Sequence, residues 1–343
     1  MLPVRALVIT KHGGPEVLQV EERPDPQPAQ GEVLVRVKAA GVNFADVLAR
    51  MGLYEDAPKP PCVVGYEFAG DVESVGEGVT EYEPGQRVLG GCRFGGYAEL
   101  VATGARELVP LPDDWSYEEG AALPVHYVTA YAAQVRYGSL RAGEDVLIHA
   151  AAGGVGIAAT QIARHVGAGT IYGTASPKKH DAIRAQGVDH AIDYTAIDFR
   201  KELRRISGEK APLDLVMDAI GGSSFRKSWS LLGAGGRLVC YGASSVMSGE
   251  QRSIKSIARM ATTTPIFHPI PMMQSSRAVI GLNMLRLWDA KGSFDEYLTP
   301  LRDWIDSGAI RPVVADAFPL ERAAEAHRLL AERKNVGKVV LTV

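Results

Sequence analysis

The sequence predicts an α/β protein in two parts, a β-rich lobe and a doubly wound parallel-sheet domain, and three observations carry that expectation. The length of 343 residues exceeds what a single hydrophobic core usually organises. From Val4 to about Leu123, short β-branched runs alternate with turns. After Pro124 the rhythm becomes strand, helix, strand, with helical stretches of about ten to fifteen residues, the spacing of right-handed βαβ crossovers.

In the first part the strand candidates are RALVIT, EVLVRVKAAGV, FAGDVESVG, QRVLG and YAELVA, rich in residues that fit a pleated, half-buried surface. EERPDPQPAQGE carries three prolines, which remove ladder donors and fix φ, so it is read as a surface connection. In the second part DVLIHAA, TIYGTA, HAIDY, LDLVMDAI, RLVCYGA and AVIGLN supply successive strands. That domain is expected to span 125–287. A helix (FDEYLTPLRDWIDSG), a short strand (PVVADAF), a helix (LERAAEAHRLLAER) and a last strand (KVVLTV) follow, and these are expected to rejoin the first lobe, so that 1–124 together with 288–343 form the other domain.

Residues 260–276, MATTTPIFHPIPMMQSS, hold no Asp, Glu, Lys or Arg, yet their three prolines rule out a regular membrane helix. They are read as a partly buried connection, or as a mobile apolar lip at a substrate pocket or partner surface.

Composition excludes several function classes. A net charge of -3 offers no bulk attraction for nucleic acid or an anionic membrane, so any cofactor phosphate must be met locally. Cys62, Cys92 and Cys240 are odd in number and far apart, which suggests neither a disulfide framework nor a zinc ribbon and fits a reducing cytosol. The N-terminal run MLPVRALVIT is interrupted too soon, by Lys11 and His12, for a signal peptide or a membrane span. A soluble, cytoplasmic protein without integral membrane association is expected.

VLIHAAAGGVGIAATQIARHVGA places an apolar strand before a glycine-rich turn, and that turn before a helix. Gly153, Gly154 and Gly156, with Val155 between them, sit where a dinucleotide fold brings backbone close to a pyrophosphate and packs a helix on a strand. Helix N-terminal N–H groups would receive the negative charge. Ala151 stands at the first glycine position of the usual GxGxxG pattern. The end of the second strand decides between the nicotinamide cofactors, since an NAD site places Asp or Glu there. Here the chain reads YGTASPKKH. Small residues from Gly173 through Thr174 to Ser176, then Lys178 and Lys179, leave room and positive charge for a 2′-phosphate, which favours NADPH. Alternatively the lysines are solvated residues opening the next helix.

On GVNFAD, GYEFAG, AAAGGVG and KNVGKVVL the chain resembles the medium-chain dehydrogenase/reductase superfamily along essentially its whole length. Within it the likeness is to the zinc-free quinone oxidoreductases of the zeta-crystallin type, and YGASSVMSG and KNVGKVVLTV look most like the vesicle amine transport protein branch. The resemblance implies a GroES-like β-rich catalytic domain and a Rossmann domain. Zinc-dependent members carry a cysteine ligand where this chain has Asn43, and a histidine ligand where it has Tyr66. Cys92 stands alone where they carry a four-cysteine loop. Cys62, Glu67, His126 and His149 have no ligand spacing, so no metal is expected.

In zinc-free relatives, residues matching Asn43 and Tyr54 face nicotinamide and substrate, which makes these two the candidate catalytic pair. Hydride delivery to a conjugated carbonyl builds charge on oxygen, and without metal that charge needs hydrogen-bond donors. Asn43 satisfying its own loop, and Tyr54 as a half-buried surface aromatic, are the plain alternatives. Asp46 is read as structural, because a carboxylate beside the transferring hydride would oppose the developing charge. The resemblance also implies that Tyr194 packs near the adenosine end, that Ile220, Gly221 and Gly242 line the cofactor, that Asn335 returns to it from the C-terminus, and that Thr129 reaches the nicotinamide or simply packs its helix. The expected function is an NADPH-dependent, metal-free reduction of a quinone or similar conjugated carbonyl in a cleft between the lobes, by a homodimer. Reduction of the C=C bond of enals, enones or enoyl thioesters, and an NADPH-binding interaction protein of the vesicle type, are the alternatives.

Overall fold

The computed structural model describes residues 3–208, 213–248, 251–252 and 254–343. The chain divides into two compact units. The first takes the chain up to Val128 and from Leu285 onward, with Gln251, and the second takes Thr129–Ser248 and Arg252–Met284. Apart from the brief excursion at Gln251, the crossings fall inside helices, Pro124–Tyr131 and Met284–Lys291, a few residues from the breaks at 124/125 and 287/288 that the sequence suggests.

The first unit is built on a seven-stranded sheet. Its central strand, Glu32–Val42, pairs antiparallel with Glu67–Val75, Leu100–Gly104 and the C-terminal Lys338–Thr342. Val340 stands opposite Gly41 in that last ladder. Val33, Val35, Phe68, Val88, Leu108 and Leu341 are each 0% exposed and form the centre of its core. A second sheet of three strands pairs Val4–Ile9 with Leu18–Arg23 and Cys62–Val63. Two elements depart from the sequence reading. Glu21–Arg23 continue a strand, so the proline-rich connection begins only at Pro24, where the first ring removes a donor. The stretch after Val42 folds as the helix Phe44–Arg50, capped by the Asp46 carboxylate, which accepts the Asn43 N–H at 2.8 Å.

The second unit holds a six-stranded parallel sheet in the order His190–Asp193, Ile171–Ala175, Val146–Ile148, Leu213–Asp218, Leu232–Cys240, Ala278–Gly281. The chain reverses its direction of sheet growth between Val146–Ile148 and Leu213–Asp218, the switch point outside which open α/β sheets bind ligands. Leu147, Val216 and Leu238 are 0% exposed, the mark of strands covered on both faces.

The segment 260–276 combines a buried contact with exposed apolar side chains. It is partly buried, with Phe267 packed against the second unit's core beside Trp229, while Pro269–Ser275 forms a short helix with proline at its first turn and Ile266, Ile270 and Met273 are 95%, 58% and 76% exposed. Among the described residues, no helix is long and apolar enough to cross a membrane.

Candidate cofactor and catalytic site

In the second unit the strand Val146–Ile148 leads through a tight turn into the helix Gly154–Val166. Ala150 turns the corner at φ 52°, and Gly153 caps the helix with extended backbone. The N–H groups of Gly154, Val155 and Gly156 open the helix with no carbonyl of the preceding turn to bind, which makes this end a ready anion site. A Cβ on Gly156 would lie 2.6 Å from the Ala151 Cα and closer still to the Ala150 carbonyl oxygen, so this glycine is what lets helix and turn meet.

A buried relay braces this turn. The Ala150 N–H donates to Thr174 Oγ1 at 3.2 Å, and Thr174 Oγ1 lies 3.1 Å from His149 Nδ1. His149 Nε2 lies 3.0 Å from Ser228 Oγ, and Ser228 and Ser224 both donate to Asp218 Oδ2, at 2.8 and 2.7 Å. Because the carboxylate only accepts, the donors run from Thr174 through a neutral His149 protonated on Nε2 to Ser228. Burial lowers the His149 pKa and keeps the ring neutral. Asp218 Oδ1 in turn accepts the Ile220 N–H at 2.8 Å and the Gly221 N–H at 3.3 Å, so one relay ties the glycine turn to the Ile220–Gly221 loop. The Thr174 hydroxyl thus makes two hydrogen bonds inside the protein, through which it shapes the turn. The sequence reading had no signal for this relay, which joins the ends of separate strands.

The remaining second-unit candidates, Thr129 apart, lie at the carboxyl ends of strands. Ser176 caps the turn Pro177–Lys179 beyond Ile171–Ala175. Lys178 is exposed, while Lys179 is half-buried and opens the helix His180–Ala185, with its pKa lowered by burial. Tyr194 is 45% exposed after His190–Asp193, at the end of its strand. Gly221 takes φ 83°, and Gly242 is exposed, with the Ala219 carbonyl oxygen 3.0 Å from where a Cβ would stand. Thr129 is 8% exposed in the helix Pro124–Tyr131.

In the first unit, Asn43 enters a buried polar cluster that the sequence reading did not foresee. Its Nδ2 donates to Glu67 Oε1 at 2.8 Å, and its Oδ1 accepts from the Lys338 ammonium at 2.7 Å. Lys338 also donates to Glu67 Oε1, and to His126 Nε2 at 3.2 Å, which uses all three ammonium hydrogens. Glu67 Oε2 accepts the Val125 N–H at 2.7 Å. Lys338 and Glu67 are 1% and 0% exposed, and His126 is the part-exposed member. Gly41 makes the room: a Cβ there would lie 2.5 Å from Lys338 Cε and 2.6 Å from Glu67 Oε1. Burial lowers the Lys338 pKa, while the charges of Glu67 and Asp46 oppose that shift. Burial, then the charge of Lys338, pushes His126 well below its ordinary value.

Asp46 accepts the Asn43 N–H, the Gly65 N–H at 3.1 Å and the Tyr97 hydroxyl at 2.7 Å. It fixes the loop, as its structural reading requires. Tyr54 is half-buried against the first unit's core, and burial followed by the charge of Asp56 pushes its pKa up to about 12. Its hydroxyl therefore stays protonated and able to donate. Asn335 is 8% exposed and its Nδ2 donates to the Gly337 carbonyl at 2.8 Å, closing the turn before Lys338–Thr342. The residues around Asn43 do not fit a zinc ion. An ammonium already holds Glu67, and among the described residues no three His, Cys, Asp or Glu gather as a metal would need.

Residues 29–113 match the alcohol dehydrogenase GroES-like domain family, and residues 186–341 match the zinc-binding dehydrogenase family. The chain is 39% identical over 339 residues to the synaptic vesicle membrane protein VAT-1 homolog of Danio rerio, covering 98% of this chain and 70% of that protein. A mycobacterial protein complexed with NADPH superposes with a TM-score of 0.84 at 31% identity, over 99% of this chain and 100% of the other. The quinone oxidoreductase from Coxiella burnetii does so with a TM-score of 0.81 at 27% identity, over 100% of both chains.

Proposed function

The chain belongs to the medium-chain dehydrogenase/reductase superfamily, in the branch of the VAT-1 homologues, and from that premise we propose that it is an NADPH-dependent, metal-free reductase of quinones or similar conjugated carbonyls. The observation that carries this reading is the cation in the Asn43–Glu67 cluster. It is the ammonium of Lys338, bound to the carboxylate, so a second cation at that place would have to displace the ammonium or compete with it for Glu67. Without a Lewis acid, the charge that develops on a substrate oxygen needs a protein donor, and we assign that role to Tyr54, whose hydroxyl keeps its proton.

The cofactor, when bound, supplies hydride. The backbone N–H groups of Gly154, Val155 and Gly156 would receive its pyrophosphate, with Gly153 setting the turn, while Ser176 and Lys179, helped by Lys178, would receive the 2′-phosphate. Tyr194, Ile220, Gly221 and Gly242 would line its length, and Thr129, Asn335 and Asn43 complete the set proposed for it. The NADPH-bound mycobacterial relative and the quinone oxidoreductase support the cofactor and the substrate class. A cytoplasmic homodimer is part of the reading, supported by the outer strand Ala278–Gly281, whose pairing within the described residues is with Leu232–Cys240 alone.

The test is a screen of the purified, chelator-treated protein that follows NADPH oxidation with quinones, enals and enones. Turnover with quinones is expected, with no stoichiometric zinc by metal analysis. One tightly held zinc per chain, or activity lost to chelation, overturns the metal-free mechanism. A second reading, an NADPH-binding interaction protein, is favoured by the likeness to the vesicle protein and by the exposed Ile266, Ile270 and Met273. Replacing these three by serine would abolish vesicle association in that reading and leave turnover intact.

A further inference from the structure

Reduction of a carbonyl needs a proton as well as a hydride, and the proposed function leaves the proton's source open. Tyr54 is a poor source. Its phenolate would form near Asp56 and Asp46, which together with burial oppose its ionisation. The buried cluster of the first unit offers another. Four polar side chains meet there, Asn43, Glu67, Lys338 and His126, and of the four only His126 is in reach of solvent.

The hydrogen-bond directions are fixed by chemistry. An ammonium can only donate, so Lys338 donates to His126 Nε2, and the neutral imidazole carries its own proton on Nδ1. The ring thus turns an accepting nitrogen toward the buried charge and a donating one away from it.

Resting on the reductase reading above, we infer that Lys338 and His126 form a proton reservoir whose outlet is His126 Nδ1. When hydride adds to the carbonyl carbon, the C=O π pair moves onto oxygen. The Nδ1–H bond of His126 breaks toward that oxygen, leaving its electron pair on the ring, while Nε2 takes a proton from the Lys338 ammonium, whose pair stays on Nζ. The products are an alcohol, a neutral lysine and an imidazole of the opposite tautomer; with a quinone that alcohol is a hydroxydienone, which becomes the hydroquinone when its carbinol C–H proton passes to solvent and the second ring oxygen takes a proton from solvent. Glu67 is then left with an uncompensated charge in a dry site, which drives recharging: a proton from bulk solvent reaches Nδ1 as Nε2 returns its proton to Nζ, restoring both groups. The groups that face this pair and set its pH response are Glu67, Asn43 and, through its charge on the ammonium, Asp46.

The experiment has two arms. In the protein without cofactor, histidine ¹⁵N NMR reads the tautomer, and His126 is expected neutral and protonated on Nδ1. A ring protonated on Nε2 overturns the inference, because Lys338 could not then feed it. In the second arm His126→Ala is assayed with NADPH and a quinone that the wild type reduces. The loss expected is about 10²-fold in kcat, the range for a general acid, with NADPH Kd unchanged and turnover restored by added imidazole in step with its protonated fraction. Full turnover in His126→Ala, or a loss that imidazole does not restore, overturns the proposal. His126→Gln, which keeps an acceptor for the ammonium, is expected to fold as the wild type and still lose turnover. A wild type that binds NADPH but reduces nothing sinks the proposed function itself, and the reservoir with it.

Discussion

Tyr54, Asn43, Lys179 and Asp46 separate donor, scaffold, selector and titrating group within one proposed mechanism. Tyr54 keeps its proton, with its pKa pushed up to about 12 by burial and then by Asp56, so Tyr54→Phe should lower turnover by as much as 10²- to 10³-fold while NADPH Kd stays level. Full turnover in that variant would make the ring a pocket wall. Asn43→Ala is expected to act differently, because its amide is held by both Glu67 and Lys338. Leaving those buried charges short of a partner costs about 1 to 3 kcal/mol, which a urea midpoint would register alongside weaker NADPH binding. Lys179→Ala should weaken NADPH about ten- to a hundredfold and spare NADH, since a charge-assisted hydrogen bond contributes roughly 1.5 to 3 kcal/mol. Equal losses for both cofactors would sink the 2′-phosphate assignment. Asp46 gives the pH arm. Burial raises its pKa from 3.8 to about 7, against the hydrogen bonds from Tyr97 and Asn43. The folded state therefore holds this proton more tightly than the unfolded chain. That contribution is fully present below about pH 4 and is lost as pH rises through about 7, so denaturant titrations should show stability falling across that window. An Asp46→Asn variant with the same slope would assign the effect elsewhere.

The glycine-turn helix and the C-terminal strand show what local pattern can and cannot reveal. The strand before the turn, the glycines and the amphipathic helix Gly154–Val166 could be read directly, because each depends on residues within a few positions of one another. Gly156→Val tests that element. A Cβ there already meets the Ala151 Cα at 2.6 Å, and a branched side chain would push the helix off its turn, so NADPH affinity should collapse while the first unit keeps its fold. Retained affinity, measured by fluorescence titration, would show that the turn is not the phosphate cradle. The strand Lys338–Thr342 was equally legible as a strand, but not the burial of its first side chain. KVVLTV reads as a lysine at a strand edge, and nothing local says that the register sets Val340 opposite Gly41 and drops the ammonium onto Glu67. The helix Phe44–Arg50 was missed for the opposite reason. Its seven residues span two turns, too short for a periodic signal, and its cap depends on Asp46 turning back to the Asn43 N–H.

Two separate cores determine how the molecule should respond to its cofactor. Each unit has its own sheet and its own cluster of fully buried side chains, so a single melting temperature is not a well-defined quantity for this chain. The switch in rhythm after Pro124 made the division legible, while the helices that carry the chain across it hid the residue at which it falls. The phosphate-binding groups proposed for NADPH, the turn at Gly153–Gly156 and the Ser176–Lys179 segment, all belong to the second unit. Ligand at a hundredfold excess over Kd stabilises the state that binds it by about 2.7 kcal/mol. Scanning calorimetry of the protein with saturating NADPH should therefore move the transition that reports the second unit, and NADH at the same concentration should move it less. In Lys179→Ala the two cofactors should shift it alike, because the difference between them is the 2′-phosphate alone. If NADPH and NADH shift the wild-type transition equally, the charge beyond Ile171–Ala175 does not select the cofactor. The two lysines then revert to what the sequence also allowed, solvated residues at the opening of a helix.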